Sequence, residues 1–259
     1  MSTLTLALVQ ADLAWHDIEA NLTHFDQLLA PLAAVDLIVL PEMFTTGFTM
    51  ASQQQAEPMA GRGIAWLRTT AQARNAVVCG SLAIEEQGLC YNRFVWATPD
   101  GALHHYDKRH CFRMAGEHHH YRSGESAVVM SLNGFRIRPI ICYDLRFPVW
   151  SRNAAAAPYD LLLYVANWPS RRAHHWRTLL TARAIENQAF TVGVNIVGTD
   201  GSGLEYVGDS AVVDFSGQPL AQISGQEGIY TTKLSLEDLQ QYRRQLPFLN
   251  DADAFQLCG

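Results

Sequence analysis

Cysteine is scarce in this chain: five residues among 259, Cys79, Cys90, Cys111, Cys142 and Cys258. An odd number without close pairs excludes a disulfide scaffold at this length and suits a reducing cytoplasm. The C-x-x-C and H-E-x-x-H spacings of metal sites are missing as well. Lysine and arginine number 19 against 25 acidic residues and nowhere form a block. A net charge of −6 without a basic patch leaves no nucleic-acid surface. No apolar run approaches the roughly 20 residues that span a bilayer, so no membrane segment is expected. The opening stretch MSTLTLALVQADLAWHD lacks a basic region and a long apolar segment, so no signal peptide is expected either.

What the chain does have is apolar residues, 48% of the total, enough to bury a sizeable core. Residues 3–9 read as a strand. From Asp17, the positions Ile18, Leu22, Phe25, Leu28/Leu29 and Leu32 recur at helical steps. VDLIVLPE (35–42) reads as a buried strand, and Ile64, Leu67 and Ala71 predict a second helix before the strand AVVCGSLAI. Two hairpins follow, one turning at Pro99-Asp100-Gly101 and one at Asn133-Gly134. DLLLYVANWP is another buried strand, ahead of a helix over about 174–188 and the strand FTVGVNIVG. Strands SAVVDF and GIYTTKL are expected around a Ser216-Gly217 turn, then a short helix capped by Ser235 with Asp238. Interleaved strands and helices without a linker predict one α/β domain over 1–259, and the hairpins predict mixed sheets.

Three strands end on a reactive side chain. LPEMF presents Glu42, HYDKRH presents Lys108, and RPIICYDLRFP presents Cys142. Strand ends along one sheet edge are where α/β folds place their chemistry. Taken singly, each has a plain structural reading: a helix cap, a solvated cation, a small core residue.

The surrounding words decide between these. LPEMF, YDKRH and CYDLRFPVW, in this order and at these separations, resemble the three catalytic blocks of the nitrilase superfamily, the carbon–nitrogen hydrolases. YVANWP, TARAIENQAF and GDSAVVDFSGQPL resemble further family segments, and the likeness runs from about residue 4 to about 234. PEMFTTGF, YDKRHCFRMAGEHHHYRSG and CYDLRFPVWSRN bring the chain closest to the omega-amidases, which hydrolyse the side-chain amide of 2-oxoglutaramate and 2-oxosuccinamate. The resemblance implies a four-layer α-β-β-α sandwich, pairing into homodimers or larger homo-oligomers, a small-molecule amide substrate and no cofactor. It also implies a Glu42–Lys108–Cys142 triad, with Glu117 as an additional glutamate beside it.

The chemistry suits these residue types. An amide is a poor electrophile, and a thiolate that forms a covalent intermediate splits its hydrolysis into easier steps. Lys108 favours the thiolate, as would a helix beginning around Phe147 if its dipole points at Cys142. Glu42 can take the thiol proton and return it to departing ammonia. The resemblance assigns the negative oxygen of each tetrahedral state to the Lys108 ammonium and the backbone N–H of Tyr143.

A 2-oxo acid also brings a carboxylate, which calls for a cation. Arg113, Arg146 and Arg171 are candidates by position, with Arg146 alternatively pairing inside its own turn. Phe44, Phe48, Tyr143 and Trp168 are candidates for an apolar wall. The histidines 118–120, with His104, His105, His174 and His175, suggest a metal, but consecutive side chains diverge and surface or channel lining suits them better. The glycine-rich GRG and GTDGSG lack the context of a phosphate cradle, and no serine sits in a G-x-S-x-G elbow. Nitrile or carbamoyl hydrolysis by the same triad, a non-catalytic binding protein on this fold and a metal-dependent hydrolase are the competing functions.

Overall fold

The structure, a computed structural model, describes residues 2–257; Cys258 lies outside the described residues. The first half of the chain runs β1 (Thr3–Gln10), α1 (Ile18–Leu29), β2 (Leu37–Val39), α2 (Ser52–Gln55), α3 (Arg62–Arg74), β3 (Val77–Glu86), β4 (Leu89–Ala97) and β5 (Leu103–Asp107). The second runs β6 (Met130–Leu132), β7 (Phe135–Ile141), α4 (Pro148–Ser151), β8 (Leu161–Val165), α5 (Ala173–Asn187), β9 (Phe190–Val194) and β10 (Val197–Thr199). It ends with β11 (Glu205–Val213), β12 (Pro219–Ser224), β13 (Gly228–Ser235) and α6 (Leu236–Gln245).

The strands make two mixed sheets. One has the order β13-β1-β2-β3-β4-β5; the other runs β10-β11-β9-β8-β7-β6, with β12 also on β11. Within each, three central strands are parallel and the flanking pairs antiparallel. Parallel strands carry helices on one face and the second sheet on the other, which is why LIV and LLLYV are apolar throughout.

Alternation sorts the side chains into layers. Leu4, Leu6 and Leu8 of β1 meet Ile137 and Ile141 of β7 and Leu161 and Leu163 of β8 between the sheets. On the outer face of the first sheet, Ile38 and Val78 pack under Phe25 of α1 and Leu67 of α3. On the outer face of the second, Ile140, Leu162 and Tyr164 pack under Trp176 and Leu180 of α5. This is the expected four-layer α-β-β-α sandwich.

Asn133 and Gly134 turn the β6–β7 hairpin with both φ positive, 50° and 83°, the backbone such a two-residue turn needs. Ser235 caps α6 by accepting from the Asp238 N–H. Two expectations change. The Ser216-Gly217 turn joins β11 to β12, and only then does the chain cross to β13 and the other sheet. Most side chains of β12 face solvent, so PLAQIS carries no apolar run to mark it. The helix anticipated near Phe147 is the single turn α4, too short and too late to aim a dipole at Cys142.

Candidate active site

The segments after β2, β5 and β7 converge between the sheets and carry Glu42, Lys108 and Cys142 to one place. Cys142 opens a tight 3-10 turn, Cys142–Arg146, with φ of 41°. A non-glycine residue holds this left-handed conformation only when its surroundings impose it. Asp144 imposes it here. Its carboxylate accepts from the Ile141 N–H (3.2 Å), the His110 N–H (2.9 Å) and the Tyr106 hydroxyl (2.7 Å), and pairs with the His110 ring at 2.7 Å. The Trp150 indole N–H donates to the Tyr106 hydroxyl at 2.9 Å and locks that side chain in turn.

The Lys108 ammonium donates to Glu42 Oε1 at 2.9 Å and to Glu117 Oε1 at 3.0 Å. Asn92 Nδ2 reaches the same two oxygens at 2.8 and 3.3 Å, its amide oriented by the Ser81 hydroxyl on Oδ1. Glu42 Oε2 accepts the Asn167 N–H at 2.7 Å, and Asn167 Nδ2 donates to the Glu42 carbonyl. Glu117 Oε2 accepts the Phe112 N–H. Glu42 and Glu117 are 0% exposed and Lys108 1%, so every one of these bonds offsets a desolvation cost. Glu117 thus shares the Lys108 ammonium and the Asn92 amide with Glu42.

Burial works against the Lys108 charge, but Glu117 and Glu42 together hold its pKa well above that of ordinary lysine. Burial pushes the Glu117 carboxyl up; Lys108 opposes this and Glu42 adds to it. The Cys142 thiol borders a cavity yet is densely surrounded by protein, and burial followed by the Glu42 carboxylate raises its pKa well above 9.0, with Lys108 opposing. The resting sulfur is therefore a neutral thiol beside a carboxylate and an ammonium.

Above the triad lies a cavity of about 440 Å³ that Cys142 and Lys108 border. Phe48, Tyr143 and Trp168, expected as an apolar wall, line it, and the Phe48 ring lies 5.0 Å from Lys108 Nζ. Arg146 and Arg171 line it too, joined by Arg172. The Arg146 guanidinium rests 4.7 Å over the Trp168 ring and the Arg172 guanidinium 5.4 Å over Phe112. Burial and then the charges of Arg171 and Arg146 lower the Arg172 pKa, so an anion among the three is favoured.

Two candidates fall outside the cavity. Phe44 is a core residue, packed edge-on to Phe25 at 5.6 Å. Arg113 is exposed on the turn before Glu117 and does not line the cavity. His118, His119 and His120 border a separate surface cleft, and among the described residues no His/Cys/Asp/Glu group suits a metal ion. Cys79, Cys90, Cys111 and Cys142 are free thiols. Cys111 is buried against the Tyr121 carbonyl and the Ser123 hydroxyl.

The carbon-nitrogen hydrolase family model matches residues 5–244. The chain belongs to the carbon–nitrogen hydrolase family. It is 52% identical to the omega-amidase YafV of Yersinia enterocolitica, over 99% of this chain and 100% of that one. It is 31% identical to the 2-oxoglutaramate amidase of Bacillus subtilis, over 95% and 96% of the two chains. Among solved structures, a carbon–nitrogen hydrolase superfamily protein of Xanthomonas campestris, determined with an arsenic adduct in its active site, superposes with a TM-score of 0.97. That pair is 47% identical, and each chain is covered completely. In this carbon–nitrogen hydrolase, sequence reasoning missed Asn92, Asn167 and Arg172. The signal for Asn167 was an amide side chain leaving the all-apolar strand β8, the same strand-end event that marked the triad.

Proposed function

We propose that this carbon–nitrogen hydrolase is an omega-amidase, converting the terminal amide of 2-oxoglutaramate or 2-oxosuccinamate to the 2-oxo dicarboxylic acid and ammonia. The observation that carries the reading is the meeting of Glu42, Lys108 and Cys142 beneath a cavity bordered by three guanidinium groups. A small molecule with a carboxylate at one end and an amide at the other fits that polarity. The names of the relatives in Yersinia enterocolitica and Bacillus subtilis support it.

Glu42 takes the Cys142 proton as sulfur attacks the amide carbon, and the carbonyl oxygen becomes negative. The Lys108 ammonium and the Tyr143 N–H hold that oxygen. Glu42 then protonates the nitrogen, the C–N bond breaks, and ammonia leaves a thioester on Cys142. Water attacks the thioester carbon while Glu42 takes its proton; the C–S bond breaks and the proton returns to sulfur. Glu117 holds Lys108 as a second carboxylate beside Glu42. Proton transfer coupled to attack suits a thiol that is neutral at rest. Four free thiols suit a reducing cytoplasm, and the resemblance read from the sequence extends the reading to a homodimer or larger homo-oligomer.

Ammonia release from a panel of 2-oxo acid amides, simple amides, nitriles and carbamoyl compounds tests this. The 2-oxo acid amides are expected to give the highest kcat/KM; turnover of nitriles with none of 2-oxo amides overturns it.

A further inference from the structure

Asn167 holds a buried side-chain oxygen, Oδ1, with no hydrogen-bond partner in the protein. Its backbone N–H and its Nδ2 are both engaged with Glu42. The backbone N–H donates to Glu42 Oε2 and Nδ2 donates to the Glu42 carbonyl, so the amide plane cannot turn to find Oδ1 a donor. Turning the amide over would set Oδ1 against that carbonyl oxygen, which fixes the assignment. Asn167 also borders the cavity that contains Cys142 and Lys108. A buried acceptor left unpaired is costly and rare, and one at a reaction site points to a donor that arrives with the substrate.

The two oxygens of Glu42 show which donor. Oε1 faces the cationic side, against Lys108 and Asn92. Oε2 faces Asn167. An amide attacked by Cys142 with its oxygen toward Lys108 turns its nitrogen toward Oε2 and Asn167. A primary amide nitrogen carries two hydrogens, and this side of the site offers two acceptors. We propose that Asn167 Oδ1 accepts one N–H of the substrate's carboxamide while Glu42 Oε2 accepts the other, so that Asn167 selects a primary amide over groups lacking that hydrogen. This rests on the amidase reading of the cavity. After ammonia leaves, the attacking water occupies the same place, one hydrogen passing to Glu42 and the other held by Oδ1. A nitrile nitrogen and an ester oxygen carry no hydrogen and gain nothing from this acceptor.

Asn167→Leu removes the acceptor at similar volume, and Asn167→Ser withdraws it in a smaller side chain. Both also lose the Nδ2 bond to Glu42, so the informative quantity is a ratio. In each purified variant, kcat/KM is measured for the best primary amide and for p-nitrophenyl propionate, whose leaving oxygen carries no hydrogen. The amide-to-ester ratio is expected to fall about ten- to hundredfold. Equal losses on both substrates would mean that Asn167 acts only through Glu42, if alkylation of Cys142 by iodoacetamide changes as well, or serves a buried water, if it does not. That result overturns the proposal, as does an unchanged ratio. Wild-type enzyme that releases ammonia from other primary amides but not from 2-oxo amides removes the omega-amidase reading alone, and the ratio still decides Asn167. Wild-type enzyme that hydrolyses nitriles and no primary amide removes both.

Discussion

Lys108 Nζ stands 2.9 Å from Glu42 Oε1 with both side chains closed to solvent. The same ammonium separates Glu42 from Glu117, so one cation holds two buried carboxylates. Lys108→Met would leave both buried carboxylates without a cation, held only by the neutral donors Asn92, Asn167 and the Phe112 N–H. A loss of about 3–5 kcal/mol in unfolding free energy is expected in urea titrations. In whatever fraction folds, kcat should drop on the order of a hundred- to thousandfold, the cost of one oxyanion donor.

Glu42 and Lys108 pull the Cys142 proton in opposite directions, and this gives Glu42→Gln two effects of opposite sign. Turnover should fall by roughly three orders of magnitude or more, because the proton acceptor is gone. Alkylation of Cys142 by iodoacetamide near neutral pH should become faster, because the carboxylate that raises the thiol pKa is gone while Lys108 stays. Slower turnover with slower alkylation would show that Glu42 activates the resting sulfur.

Stability should decline above pH 9. Cys142 and Cys79 keep their protons in the folded chain above the ordinary thiol value of 9.0, chiefly because they are buried, and Tyr106 does so above 10.0. Their folded pKa values are raised, so the stability they contribute is present below those ordinary values and lost as pH rises past them. Lys108 has the same sign, holding its proton beyond 10.5. Thermal midpoints measured from pH 7 to pH 10.5 should hold steady and then fall, with a shallower fall in Cys142→Ala. A midpoint that rises over this range would contradict the assignment.

The guanidinium groups bordering the cavity predict a dependence on substrate charge. Arg172→Ala should raise KM for 2-oxo acid amides about ten- to hundredfold, the worth of a charged hydrogen bond, while KM for propionamide changes within a few-fold. Equal effects on both substrates would place the carboxylate elsewhere.

The layers were legible because both faces of the central strands are buried, which leaves uninterrupted runs such as LLLYV, and because Asn133-Gly134 specifies its own turn. Glu42 and Cys142 were legible because each follows an apolar strand end, whereas Lys108 follows the half-exposed hairpin strand LHHYD and was marked by the YDKRH resemblance. What escaped was set by contacts between distant segments. Asn167 meets Glu42 across 125 residues, and nothing in ANWP states that its side-chain oxygen goes unpaired. Phe44 and Phe48 are indistinguishable as letters; one turns outward against Phe25 under the helices, the other toward Lys108. Arg113 and Arg172 differ in the same way, one in solvent and one over Phe112. β12 escaped because an edge strand with mostly solvent-facing side chains has no apolar pattern to show.

Rapid acid quenching of the enzyme during turnover of 2-oxoglutaramate, followed by intact-protein mass spectrometry and peptide mapping, reaches the covalent step directly. The expected species is the chain plus the substrate less ammonia, with the added mass on the peptide containing Cys142 and none in Cys142→Ala. Sustained ammonia release with no such adduct at any quench time, or with the adduct on another residue, would contradict a thioester at Cys142.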